Sequence, residues 1–333
     1  MELNALDYFG EELNEPVSPT GQCLDNTSLC LYILAFLEFQ VPIHHLPIVS
    51  LVEDAFLSIP HFTSIMVDDE RGVKIWKRVE VKLEEHIIEP KFTDDGIPIL
   101  SNVTFSMDHV KEIKSNLGVT INDVITGIIF YGVRLYMQNI DYKSRALNST
   151  SLVIANTRHV KDYQRVQDML KSTKGSWGNH ITYYHVSVPK LQDMPISNPV
   201  QFVMKAHTSI KRQKNSFAPP LITKLLRMKN KLEGPKALAK HIHGTMRKSS
   251  LLISNVAGPL EQMAWANHPI GGFFFTLSGI PQSLVITVMS YMGMLRVTTA
   301  TEEGFIDEQK LMRYLNSAFE IIHHESIAKE NTS

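Results

Sequence analysis

The sequence predicts a mixed protein of the α/β or α+β class, and three features carry that prediction. Apolar runs of strand length, such as Leu29–Leu37 and the alternating segment 181–189, are bounded by turn residues. Apolar stripes at helical spacing recur at Val110, Ile113 and Leu117, and at Ile306, Leu311, Leu315, Phe319 and Ile322. The longest uncharged stretch, between His268 and Arg296, is broken by Pro269, Pro281, Gly271, Gly272, Gly279 and Gly293, so it reads as strands and not as a membrane span. With 333 residues, 44% of them hydrophobic, the chain has ample core for one large or two ordinary domains.

The elements follow in order. Leu29–Leu37 reads as a fully buried strand. Ile48, Val52, Ala55, Phe56 and Ile59 form a helical stripe that Pro60 ends. The runs 62–67 and 73–79 flank an Asp-Asp-Glu-Arg-Gly loop and predict a hairpin. Ser106 can cap a short helix that Gly118 stops. Thr120 and Asp123 stand at capping-box spacing before a helix burying Val124, Ile125, Ile128, Ile129 and Tyr136. Strands follow at 151–155 and 181–189, then a basic helical region over 199–245. A strand over 249–257 ends in a Gly-Pro turn, two strands flank the Tyr-Met-Gly turn at 291–293, and a helix closes the chain.

The formal net charge is −1, but its distribution is uneven. Residues 1–100 carry 18 acidic and 6 basic side chains, whereas residues 201–250 carry 12 basic and one acidic, Glu233. Such a basic region is a solvated helix face or a surface for anionic lipid or a polyphosphate. It lacks the interleaved aromatic residues of a nucleic-acid binder. Cys23 and Cys30 form no zinc-ligand or disulfide pattern, which fits a reducing compartment and no metal. The acidic, proline-broken N-terminus has neither signal nor transit character. The sequence contains no phosphate-binding Gly-rich loop, no G-x-S-x-G and no H-E-x-x-H.

A resemblance extends the reading. The segments EPVSPTGQ, KIWKRVEVKLEEHIIEP, GVTINDVITGI, VIANTR, GSWGNHITYY, LLISNVAGP and SLVITVMSYMGMLRV stand in the order seen in plant wax ester synthase/diacylglycerol acyltransferases. The chain therefore resembles that family over nearly its whole length. The resemblance implies a two-half chloramphenicol-acetyltransferase-like (CoA-dependent acyltransferase) α/β fold, with a shortened N-terminal half over 1–95 and a C-terminal half over 96–333. It implies acyl transfer from acyl-CoA, as co-substrate and with no bound cofactor, to a fatty alcohol or diacylglycerol. Its lipid substrates imply a peripheral membrane surface, on the cytosolic face of the endoplasmic reticulum or the plasma membrane, and the basic 201–250 region offers Lys211, Arg212 and Lys214 to meet it.

The family's catalytic motif is HHxxxDG, whose second histidine takes the hydroxyl proton. Neither histidine pair here fits it. His44-His45 has Val49 and Ser50 where Asp and Gly would stand, and His323-His324 also lacks the Asp-Gly. Asp94–Gly96 reads DDG, but Pro90 and Lys91 occupy the histidine positions. The catalytic residues are thus unassigned, and the segment bearing the motif is expected to be missing; the alternative to an acyltransferase is a non-catalytic truncated isoform or gene-model product that binds lipid, acyl-CoA or a full-length relative. His86, His180 and His185 are the substitutes to consider. The resemblance further marks Asn122 and Asp123, for which helix capping is the simpler role, and Arg158, which in related enzymes braces the motif's Asp. It also marks Trp177, Gly178 and Asn179, which line the channel or turn the chain. Ser254, Asn255, Gly258 and Pro259 stand at a strand end near the channel mouth, where a structural turn is the simpler role.

Overall fold

The structure, a computed structural model, describes residues 15–17, 21–22, 25–26, 29–42, 48–57, 59–80, 99–156, 169, 181–194, 198–216, 218–265 and 267–330. Strand β1 (Tyr32–Phe39) precedes a short helix α1 (Ile48–Val52), which passes into a π-helical turn over Glu53–Leu57. β2 (Ser64–Asp68) and β3 (Lys74–Arg78) form the expected hairpin, and Asp69 Oδ1 accepts from the backbone N–H of Arg71 and Val73 to close its charged loop.

β4 (Ile99–Ser106) runs straight into α2 (Met107–Leu117), which Ser106 caps and Gly118 ends at φ 63°. α3 (Ile121–Ile140) begins with the reciprocal capping box of Thr120 and Asp123 and buries Val124, Ile125, Ile128, Ile129 and Tyr136 as its spacing requires. Then come β5 (Thr150–Asn156), β6 (Ile181–Ser187), α4 (Gln201–Lys214), α5 (Ala218–Met246) and β7 (Leu251–Ala257). β8 (His268–Ser278), β9 (Leu284–Tyr291), β10 (Met294–Thr301) and α6 (Glu308–Glu330) complete the order. Positive φ at Met292 (50°) and Gly293 (74°) makes the tight β9–β10 turn that the sequence predicts.

Six strands form the main sheet in the order β4-β10-β9-β7-β5-β6, with β5, β7 and β9 mutually parallel. Alternation along the strands decides the layers. Leu251, Ile253, Ile286, Val288, Leu295 and Val297 face a core shared with α2, α3, α4 and α6. Leu252, Val285, Met289 and Ala300 face a second core, built with Leu238, Ala239 and Met246 of α5 and Phe275 and Leu277 of β8. β8 pairs along β1, so a strand from the first hundred residues covers the back of the main sheet. Glu38 of β1 is tied to β10 by a two-pronged ion pair with Arg296, at 2.6 and 2.7 Å. Among the described residues, no single helix is long and apolar enough to cross a membrane.

Arg134 occupies the core at 0% exposure. Its guanidinium is satisfied by backbone carbonyls: Nε donates to Pro189 O at 2.8 Å, and the two terminal nitrogens to Leu147 O at 3.0 Å and Val188 O at 2.8 Å. Burial pushes its pKa down, against the pull of Asp193. It pins the end of α3 to the segments on either side of the β5–β6 pair.

Two expectations are corrected. Leu29–Leu37 is not fully buried: β1 is an edge strand, so Tyr32 and Ile33 are 58% and 67% exposed. Residue type alone does not reveal that a strand has only one neighbour. The helix expected from Ile48 to Pro60 lasts five residues before its π-helical turn, and Phe56 packs its ring edge-on against Phe62 at 4.9 Å, away from the two cores.

Candidate functional site

The parallel run of β5, β7 and β9 brings their C-terminal ends together, the position at which open α/β sheets place their ligands. Asn255, near the end of β7, shares the helix-facing side with Leu251 and Ile253. There Asn255 Nδ2 donates to Asn122 Oδ1, in the first turn of α3, at 3.3 Å. Two residues marked separately in the sequence, 133 positions apart, thus meet at one end of the sheet. Among the described residues Asn122 Nδ2 and Asn255 Oδ1 have no hydrogen-bond partner, which leaves the two N–H donors of the one and the acceptor oxygen of the other open to a ligand.

The other marked residues that the structure describes lie on or just after β7. Ser254 faces the other side of the sheet and is buried. Gly258 donates its N–H to Ser290 Oγ at 3.2 Å, and a Cβ there would lie 2.0 Å from the Ser290 carbonyl oxygen. Only glycine permits that approach, so this turn is a packing requirement. Pro259 follows, half-buried. Arg158, Trp177, Gly178 and Asn179 lie outside the described residues, as do His44, His45, His86, His180, Asp94 and Asp95.

Asp123 does cap α3: its Oδ2 accepts from Thr120 N at 3.0 Å, and its own N–H donates to Thr120 Oγ1 at 3.2 Å. The same oxygen lies 2.8 Å from Nδ1 of His207 on α4, with the carboxylate only 4% exposed. The sequence reading missed His207. It stands 84 residues from Asp123, and only the packing of α4 on α3 makes the pair. An acid that holds Nδ1 leaves Nε2 as the ring's remaining proton acceptor, the chemistry of an oriented base.

Two other histidines are engaged elsewhere. His185 lies on β6 with Nδ1 3.3 Å from Ser249 Oγ, and burial lowers its pKa. His323 Nε2 is 2.7 Å from Glu112 Oε2 and its ring stacks on His109 at 4.3 Å, so it ties α6 to α2. Among the described residues, no group of three or more His, Cys, Asp or Glu side chains could hold a metal. A shallow cleft lined by Leu277, Gln282 and Ala300 sits at the opposite end of the sheet and includes none of the marked residues.

This architecture is that of the chloramphenicol-acetyltransferase-like, CoA-dependent acyltransferase fold. The polyketide synthase associated protein 5 from Mycobacterium tuberculosis superposes with a TM-score of 0.58 at 8% identity, covering 95% of this chain and all of that one. Residues 177–323 match the family model described as the WS/DGAT C-terminal domain. Wax ester synthase/diacylglycerol acyltransferase 4 of Arabidopsis thaliana is 28% identical over 219 residues, which are 62% of this chain and 41% of that protein. Number 9 of the same plant is 26% identical over 232 residues, 65% of this chain and 48% of that protein. Residues 177–323 are thus similar to the C-terminal domain of the wax ester synthase/diacylglycerol acyltransferases, and the wider match to the plant members of that family stays below 30% identity. The chain spans less than half the length of these curated relatives.

Proposed function

We propose that the chain takes part in the transfer its relatives are named for, with acyl-CoA as donor and a long-chain alcohol or diacylglycerol as acceptor. The match of residues 177–323 to the family's C-terminal domain carries this reading. Attack of a hydroxyl on a thioester needs a base for the proton and donors for the carbonyl oxygen. The free amide NH2 of Asn122, next to Asn255 at the sheet end, supports the second task. For the first, HHxxxDG occurs nowhere in the 333 residues. The proposed role is therefore to bind acyl-CoA or the lipid acceptor without turning it over unaided. Docking on the cytosolic face of the endoplasmic reticulum belongs to the same proposal.

Labelled palmitoyl-CoA incubated with hexadecanol or diolein tests it. The expected outcome is no labelled ester above the protein-free control. Turnover that survives would overturn the missing base, and its loss in His207→Ala but not in His185→Ala would assign the base to the Asp123–His207 pair.

A further inference from the structure

α5 breaks at Gly234 (φ 83°), and Pro235 opens its second half. The second half is anchored by Leu238, Ala239 and Met246 in the rear core. The first half is oriented by Leu226, packed against that core, and by Asn230, whose Nδ2 donates to Gln22 Oε1 at 3.3 Å. At 100° per residue this settles which side looks outward. Leu221, Leu225, Met228 and Leu232 recur there at i, i+4, i+7 and i+11, and are 56%, 49%, 54% and 75% exposed.

An apolar stripe facing solvent needs an occupant. Its borders identify the chemistry. Exposed Lys224 and Lys231 run along one edge, and Lys229, paired with Glu233 at 2.5 Å, lies along the other. Glu233 is the only acidic residue between 201 and 250, against 12 basic ones. The stripe contains no aromatic anchor of the kind that dominates protein–protein contacts, and lysine is depleted from such interfaces. Leucines bordered by lysines suit a bilayer surface: the apolar side chains enter the headgroup–acyl boundary, while the lysine stems extend their ammonium groups to lipid phosphates.

We propose that the first half of α5 is an interfacial helix that docks the protein on an anionic lipid surface through Leu221, Leu225, Met228 and Leu232. This places the contact on α5 and not at Lys211, Arg212 and Lys214 in the last turn of α4. It deepens the membrane docking proposed above, and its test contains no acyl-CoA, so its failure is distinguishable from failure of the acyl-transfer reading.

The test is co-sedimentation of the full chain with vesicles of phosphatidylcholine, with and without phosphatidylserine. The unaltered protein is expected to pellet with the anionic vesicles. Leu225→Glu/Leu232→Glu, at exposed positions, should lower the partition coefficient by at least about tenfold on both lipids. Lys224→Gln/Lys231→Gln should lower it only on phosphatidylserine, by about fivefold per lysine. The triple change of Lys211, Arg212 and Lys214 to Gln should keep most of the binding. Circular dichroism confirms that each variant is folded. Binding unchanged by the leucine variant overturns the proposal, as does absence of binding by the unaltered chain. A dimer in sedimentation equilibrium that the leucine variant dissociates, without vesicle binding, also overturns it and assigns the stripe to a second copy.

Discussion

Replacing Asp123 separates its structural work from any contact with substrate. In Asp123→Ala the backbone N–H of residue 123 still donates to Thr120 Oγ1, so half of the capping box survives. Two contacts of Oδ2 are lost: the one to Thr120 N at 3.0 Å and the one to His207 Nδ1 at 2.8 Å. The first is worth about 0.5–1 kcal/mol as a reciprocal cap. The second, charge-assisted and with the carboxylate nearly sealed from water, is worth about 1.5–3 kcal/mol. The expected loss of unfolding free energy is thus about 2–4 kcal/mol. Urea titration followed by far-ultraviolet circular dichroism reads it. Asp123→Asn keeps an acceptor for Thr120 N–H and should lose about half as much. In a cycle with His207→Ala, a coupling of about 1–2 kcal/mol is expected. An Asp123→Ala protein within about 0.5 kcal/mol of the unaltered chain, or zero coupling to His207, would refute the reasoning.

Three further outcomes follow from the geometry. Arg134→Ala should cost about 3–5 kcal/mol in the same titration, because it leaves the carbonyls of Leu147, Pro189 and Val188 unpaired beside a cavity; a loss under 1 kcal/mol would contradict its role. Gly258→Ala should cost about 1–3 kcal/mol, since the new methyl meets the Ser290 carbonyl oxygen at 2.0 Å, and a neutral result would show that the turn yields. The folded-state pKa of His185 is lowered by burial, so the unfolded chain binds its proton first, near pH 6.5. Stability should be level above that pH and fall as acidification proceeds toward the folded value. His61, lowered chiefly by burial although Glu15 opposes it, adds to the same slope. His185→Gln should shrink the acid loss measured between pH 8 and pH 5, and an unchanged slope would count against the assignment.

Much of the fold was legible because local chemistry and tertiary demand agree. Ser106, Gly118, Thr120 and Asp123 mark the ends of α2 and α3 in the sequence and serve there in the structure. The Tyr-Met-Gly turn and the α6 stripe are equally local signals. Where the reading failed, information from elsewhere in the chain was needed. The edge position of β1 depends on its pairing with β8, more than two hundred residues away. In the site, Asn122 and Asn255 were each marked by a motif, but their contact is set by how α3 packs on β7. His207 belongs to no motif and becomes visible only when α4 packs against α3. The sequence marks the 201–250 region only by its charge, and the outward apolar stripe of α5 emerges once Leu226 and Asn230 fix the helix rotation.

The proposed role requires that this chain recognise an acyl thioester at the end of its sheet. Equilibrium titration with palmitoyl-CoA, set against free CoA and against the Asn122→Ala/Asn255→Ala protein, tests it most directly. Saturable binding of the thioester that weakens at least about tenfold when both amides are removed is the result expected. Binding that is absent, or indifferent to the two asparagines in a folded protein, would contradict it.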